Sequence, residues 1–146
     1  VSLRICVDAS VALKLFLAEE DSELADALWR SWEQRGAEII APYHFVFETT
    51  SVIRSKVYRG LFTPEQGKLA LEILRSQHIQ LLHPPQLVER AWGLAEQFNR
   101  PTVYDSFYLA LSEFAGCDLW TADRRLYSAV NPSLPWVKWL GNFRPA

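Results

Sequence analysis

Four acidic residues stand where a purely structural sequence would ordinarily place something else. Asp8 follows the apolar run Ile5-Cys6-Val7. Glu48 shares a helical stripe with Phe45 and Val52, at i, i+3 and i+7 spacing. Asp105 heads the run Phe107-Tyr108-Leu109-Ala110-Leu111, and Asp123 closes Leu119-Trp120-Thr121-Ala122. Each has a structural use of its own. Asp8 can cap the helix after it, as can Ser10, and Asp123 can cap the next short helix. Asp105 completes a T-x-x-D capping box with Thr102. Glu48 is harder to assign that way. A glutamate on a buried stripe costs several kcal/mol unless it is protonated or ion-paired. Read together, the four describe chemistry. Converging carboxylates repel one another, and burial raises their pKa values further. A divalent cation relieves both effects, and oxygen-only donors favour Mg2+ or Mn2+ over zinc. Such ions hydrolyse phosphodiesters by in-line attack of a water they activate.

Bringing four carboxylates together requires strand ends and helix faces at defined places. Apolar β-type runs predict strands at Leu3–Val7, Glu38–Ala41, Ile79–Leu82, Asp118–Thr121 and Trp136–Leu140. Helices are expected at Ser10–Leu17, Glu23–Gln34, Tyr43–Tyr58, Thr63 to about Ser76, Pro84–Phe98, Thr102–Ala115 and Asp123–Ala129. Thr63-Pro64-Glu65-Gln66 is a helix start, with proline in the first turn and Gln three residues after Thr. Gly36, Gly60 and Gly116 are placed to end helices. Strands separated by helices call for a parallel sheet covered on both faces, an α/β fold of three layers, α/β/α. In such a sheet ligands bind beyond the carboxyl ends of strands, where strand order reverses. If strands one and four are neighbours there, Asp8 and Asp123 face one crevice. The helices bearing Glu48 and Asp105 can point into it.

Composition limits the alternatives. The 146 residues suit one domain, residues 1–146, with 49% apolar and 22% charged residues, which excludes disordered and fibrous classes. Fifteen basic and 17 acidic residues leave a net charge of −2, so any nucleic-acid contact must come from a local patch. Cys6 and Cys117 form no CxxC pair, and His44, His78 and His83 are scattered, which argues against zinc. Both cysteines read as buried reduced thiols of a cytoplasmic protein. No apolar run reaches the length of a membrane span. A strand opening at Leu3 leaves no room for a leader within this chain. Three rival site types fail on particular residues. A haloacid-dehalogenase-type phosphatase needs a second Asp two residues after the first, where Ser10 stands. A receiver domain needs an Asp at the end of strand three, which reads Leu81-Leu82-His83. A dinucleotide-binding turn needs glycines after strand one, which continues Asp8-Ala9-Ser10-Val11.

Val7-Asp8-Ala9-Ser10, Phe47-Glu48-Thr49-Thr50, Tyr104-Asp105-Ser106-Phe107-Tyr108-Leu109-Ala110-Leu111 and Leu119-Trp120-Thr121-Ala122-Asp123-Arg124-Arg125-Leu126 together resemble the PIN domain. The likeness is to the VapC-type toxins of toxin–antitoxin pairs, and it spans essentially the whole chain. The resemblance implies a central parallel sheet in order 3-2-1-4-5 and Mg2+- or Mn2+-dependent ribonuclease activity. It places Asp8, Glu48, Asp105 and Asp123 on the acidic positions, with Ser10 and Thr121 supporting them. The usual alanine after the third acid is Ser106 here. A stand-alone RNA-processing nuclease and a non-catalytic interaction module of the same fold are the alternatives; all four acids being present speaks against the second.

Lys14, Arg54, Arg124 and Arg125 lie within a few residues of the acidic motifs and are candidates for the RNA backbone. Of the aromatics, Trp29, Trp32, Trp92, Trp136 and Trp139 could stack bases, though core or interface packing is their commoner use. Leu13, Phe16, Leu17, Leu28, Trp29 and Trp32, with Leu69, Leu71 and Leu74 of a later helix, amount to more apolar surface than one thin sheet can cover. The resemblance implies two uses for it: a homodimer, and a groove that receives a small antitoxin protein. A basic antitoxin side chain could then reach the four acids.

Overall fold

The computed structural model describes residues 3–146. In chain order the elements are β1 (Arg4–Val7), α1 (Ala9–Leu13), α2 (Ser22–Gln34), β2 (Glu38–Pro42), α3 (His44–Tyr58), α4 (Pro64–Ser76), β3 (Ile79–Leu82), α5 (Leu87–Gln97), α6 (Tyr104–Ala115), β4 (Asp118–Thr121), α7 (Arg124–Val130) and β5 (Val137–Trp139). The sheet order is β3-β2-β1-β4-β5, with every neighbouring pair parallel. Cys6 of β1 stands opposite Ile40 on one side and Leu119 on the other. Order reverses between β1 and β4, so the crevice past their carboxyl ends is the switch point of this sheet. The central strands are buried on both faces: Ile5, Cys6, Val7, Ile40, Ala41 and Leu119 are almost inaccessible.

Local chemistry explains several of the element ends. Thr63 and Gln66 form the reciprocal capping box that opens α4. Gly116 ends α6 at φ +66°, a conformation glycine adopts without a Cβ penalty. Several expected spans are corrected. The first helix stops at Leu13, not Leu17; the N–H groups of Lys14, Leu15 and Phe16 turn back three residues into a tighter turn. Phe16 and Leu17 are half-buried there, so the apolar pattern continued although the helix did not. The fifth helix begins at Leu87, because Gln86 sits at φ +69° after Pro84-Pro85. The last strand is shorter than expected, and Leu140–Asn142 forms a 3-10 turn.

α2 is fastened to the body of the protein, which overturns the expectation of an open face there. Leu28, Trp29 and Trp32 are 2%, 4% and 1% exposed. Trp32 lies between the rings of Trp29 and Trp120, with centroids 5.3 and 6.4 Å away, and the Trp29 indole N–H donates to Gln77 Oε1 at 3.1 Å. Leu13 and Leu74 are buried too. Cys6 is buried as expected, but Cys117 is only half-buried; both are free thiols. Among the described residues no helix is long and apolar enough to cross a membrane.

Candidate active site

β1 ends at Val7, and Asp8 turns the chain into α1. As N-cap, Asp8 accepts from the Val11 N–H at 3.2 Å, and the Ser10 hydroxyl donates to it at 2.5 Å. Ser10 Oγ accepts the Ala122 N–H at 2.9 Å and lies 3.4 Å from Thr121 Oγ1. Thr121 Oγ1 accepts the Asp123 N–H at 3.0 Å. Asp123 caps α7, accepting from the Arg125 and Leu126 N–H groups at 2.9 and 3.3 Å. One hydrogen-bonded chain therefore runs Asp8–Ser10–Thr121–Asp123 across the ends of β1 and β4. The caps foreseen for Asp8 and Asp123 are real, and each uses only part of its carboxylate.

α6 closes the crevice from the side. The T-x-x-D box at its start does not form: the N-cap is Val103, with no side-chain bond to it. Asp105 thereby makes no cap, and the Arg100 guanidinium stands beside it, Nη2 to Oδ2 3.8 Å. One turn on, Tyr108 is buried, and its hydroxyl donates to Glu48 Oε1 at 2.9 Å. Glu48 departs from its expected setting. Its side chain is 39% exposed, so it leans out of the stripe toward the crevice, tethered by Tyr108 and with His44 Nε2 at 3.6 Å. That nitrogen is buried without a hydrogen-bond partner, as is Ser106 Oγ, the hydroxyl that departs from the family's alanine.

The electrostatics tie the four acids together. Burial pushes the Asp8 carboxyl up to about 7, against hydrogen bonds from Ser10, Thr121 and Val11, and the charge on Asp105 adds to the rise. Burial also raises Asp105, and the like charges of Asp123 and Glu48 add to it while Arg100 opposes. Burial lowers His44. Tyr108 is raised far above its ordinary value by burial and by Glu48, so it remains a hydrogen-bond donor. Among the described residues, no three acidic, histidine or cysteine side chains are drawn tightly enough to clasp one ion by themselves. Carboxylate oxygens of this kind suit a hard divalent cation that keeps part of its hydration shell.

These shifts set a pH dependence. A buried acid whose pKa is raised binds more protons folded than unfolded, so stability falls as pH rises between the two values. For Asp8 that window runs from about 4 to about 7. With chelator present, we expect unfolding free energy to drop by roughly 2–4 kcal/mol across it. Added Mg2+ should restore most of the loss at pH 8. Denaturant melts at pH 5 and pH 8 check this; a flat profile would mean the Asp8 carboxyl is solvated.

The candidate cations are placed unevenly. Arg124 and Arg125 open α7 directly after Asp123 and are exposed, with the Arg124 guanidinium 5.3 Å from the Trp139 ring centre. Arg54 is exposed farther along α3, over the Tyr58 ring. The Lys14 ammonium is held by Glu19 and the Glu20 carbonyl. Sequence reasoning missed Arg100, His44 and Tyr108. Two had a readable signal: His44 precedes Glu48 by one turn, and Tyr108 follows Asp105 by one.

A five-stranded parallel sheet with acids at its switch point places the chain in the PIN domain family, and it belongs there: the family's model matches residues 5–131. It is 29% identical over 127 residues to the Ribonuclease VapC3 of Pyrobaculum aerophilum, covering 85% of this chain and 92% of that one. The fold is shared with Mycobacterium tuberculosis VapC20, described as a sarcin–ricin loop cleaving toxin, at TM-score 0.63 and 20% identity over 86% of this chain and 94% of that one. It is shared too with a toxin–antitoxin complex from Klebsiella pneumoniae, at TM-score 0.61 and 14% identity over 93% and 97%.

Proposed function

We propose that this chain, as one domain, is a divalent-metal-dependent ribonuclease and the toxin of a toxin–antitoxin pair, acting in the cytoplasm as a homodimer. The reading is supported foremost by the electrostatic coupling of Asp105 to Asp8, Glu48 and Asp123, acids carried on four elements around the carboxyl ends of β1 and β4. The likeness to a ribonuclease and to toxins of that kind supports it. Asp8 and Asp105 would hold Mg2+ or Mn2+ directly, and Glu48 and Asp123 would reach it through water. When bound, the ion stabilises charge on the phosphodiester and makes a nearby water a better nucleophile. The protein's own groups set the geometry. Ser10 and Thr121 link Asp8 to the Asp123 backbone, and the Tyr108 hydroxyl tethers Glu48 by a hydrogen bond. Arg124 and Arg125 supply contacts to the RNA backbone, with Arg54 farther out and Lys14 available on exchange of its Glu19 partner.

The antitoxin surface is smaller than the sequence suggested. With Leu28, Trp29 and Trp32 in the core, two grooves along α4 are the candidates: one of about 250 Å³ against the end of α1, lined by Leu15, Phe16, Phe62, Leu69 and Ile73 among others, and one of about 290 Å³ against α3, lined by Phe45, Val46, Leu71 and Leu74 among others. A partner segment laid there, with a basic side chain reaching the acids, would compete with the ion.

The direct test is incubation of the purified chain with single-stranded RNA. Cleavage should appear with Mg2+ or Mn2+, stop with chelator and return on adding metal back. Cleavage undiminished in chelator would sink the metal-dependent reading.

A further inference from the structure

Three aromatic rings stand on the same rim as the carboxylates and take no part in the core. Tyr43, between β2 and α3, is 55% exposed. His83, just past β3, is also exposed and stacks on it, with ring centres 5.5 Å apart and planes 25° from parallel. Tyr104 heads α6 beside Asp105, is 61% exposed, and its ring centre is 5.9 Å from that of His44. The backbone under the stacked pair is stiff. Pro42 precedes Tyr43, and Pro84-Pro85 follows His83, which confines His83 to extended conformations. Because β2 and β3 lie in order beside β1, the pair sits one to two strand spacings, about 5–10 Å, from the strand that leads into Asp8. His44, the next residue after Tyr43, stands 3.6 Å from Glu48.

We infer that the Tyr43–His83 stack is a subsite that seats one unpaired RNA base beside the cleaved phosphodiester. The inference rests on the ribonuclease reading above. A stiff, exposed ring pair offers a π face to any base at little ordering cost. The rim is crowded with carboxylates that repel a polyanion, so an attraction through base faces holds the substrate where charge does not. A base within a duplex is already stacked and paired, so only an unpaired one can turn onto the ring.

The test uses the full chain with Mg2+ and a single-stranded oligoribonucleotide cleaved at one site. Tyr43→Ala and His83→Ala should each raise KM by about 5- to 100-fold with kcat within about twofold, and Tyr43→Phe should restore KM. An abasic nucleotide next to the cleaved bond should raise KM for the wild type and leave Tyr43→Ala unmoved. An unchanged KM in both alanine variants, or an abasic effect undiminished in Tyr43→Ala, overturns the subsite alone. So does a wild-type dimer that sediments as a monomer in the alanine variants, which would make the rings a contact between copies. Absence of any RNA cleavage by the wild type defeats the ribonuclease reading, and the subsite with it.

Discussion

Asp8→Asn should lower RNA cleavage on the order of 10³-fold while the protein stays folded. The amide oxygen of asparagine can still accept the Val11 N–H, and Ser10 can still donate to it, so the cap on α1 survives. What is lost is the negative charge nearest the buried end of β1. That charge is costly to the apo fold, since burial and Asp105 both oppose it. The variant should therefore melt at least as high as the wild type at pH 8 without metal, and its stability should vary less between pH 5 and pH 8. Wild-type cleavage that chelator still abolishes would mean the ion is held without Asp8. A variant that does not fold would show that its cap outweighs its charge.

Leu28→Glu should prevent folding. Leu28 is 2% exposed and belongs to the apolar core cluster with Trp29 and Trp32, so a carboxylate there would be buried among apolar side chains. The cost of such burial, several kcal/mol and commonly above about 4, approaches the whole stability of a domain this size. Leu69→Glu is the control, because Leu69 is 55% exposed on α4 and should fold normally. Circular dichroism and thermal melts of both variants decide it. A folded Leu28→Glu protein that has lost only partner binding would return α2 to the antitoxin groove.

The contrast between these two leucines marks how far sequence reading extends. Strand positions were legible because short apolar runs bounded by polar residues have few other uses: Ile79–Leu82 and Asp118–Thr121 are strands over those residues. Sheet order came from family likeness, and the parallel arrangement from the alternation of strands and helices. The excess apolar surface on α2 was misread because periodicity shows that a face is apolar, not what covers it. Here Trp120, Gln77 and the chain's last turn cover it. The four acids could be picked out in the sequence because each stands out from its local pattern. Tyr108 and His44 carry only a spacing signal, one turn from an acid, since an aromatic on an apolar helix face fits the core equally well, and only the fold sets their polar atoms against Glu48. The Thr102–Asp105 box was a sound local rule that lost to tertiary structure: α6 starts two residues late, and Asp105 turns toward Arg100 instead.

The hydrogen-bonded chain from Asp8 to Asp123 also has a meaning in time. Its members are joined across a span of more than a hundred residues, Ser10 to Ala122 being 112 apart. Contacts that distant form only after the intervening chain has been brought round. On a ribosome, which releases a chain from its N-terminus onward, Asp8 and Glu48 emerge early and remain an incomplete set. The rim assembles only when β4 has been synthesised and has docked beside β1. On the ribonuclease reading proposed above, a nascent chain of this kind would therefore spare the RNA around it, including the message and the ribosome that are making it, until most of its length is already in hand.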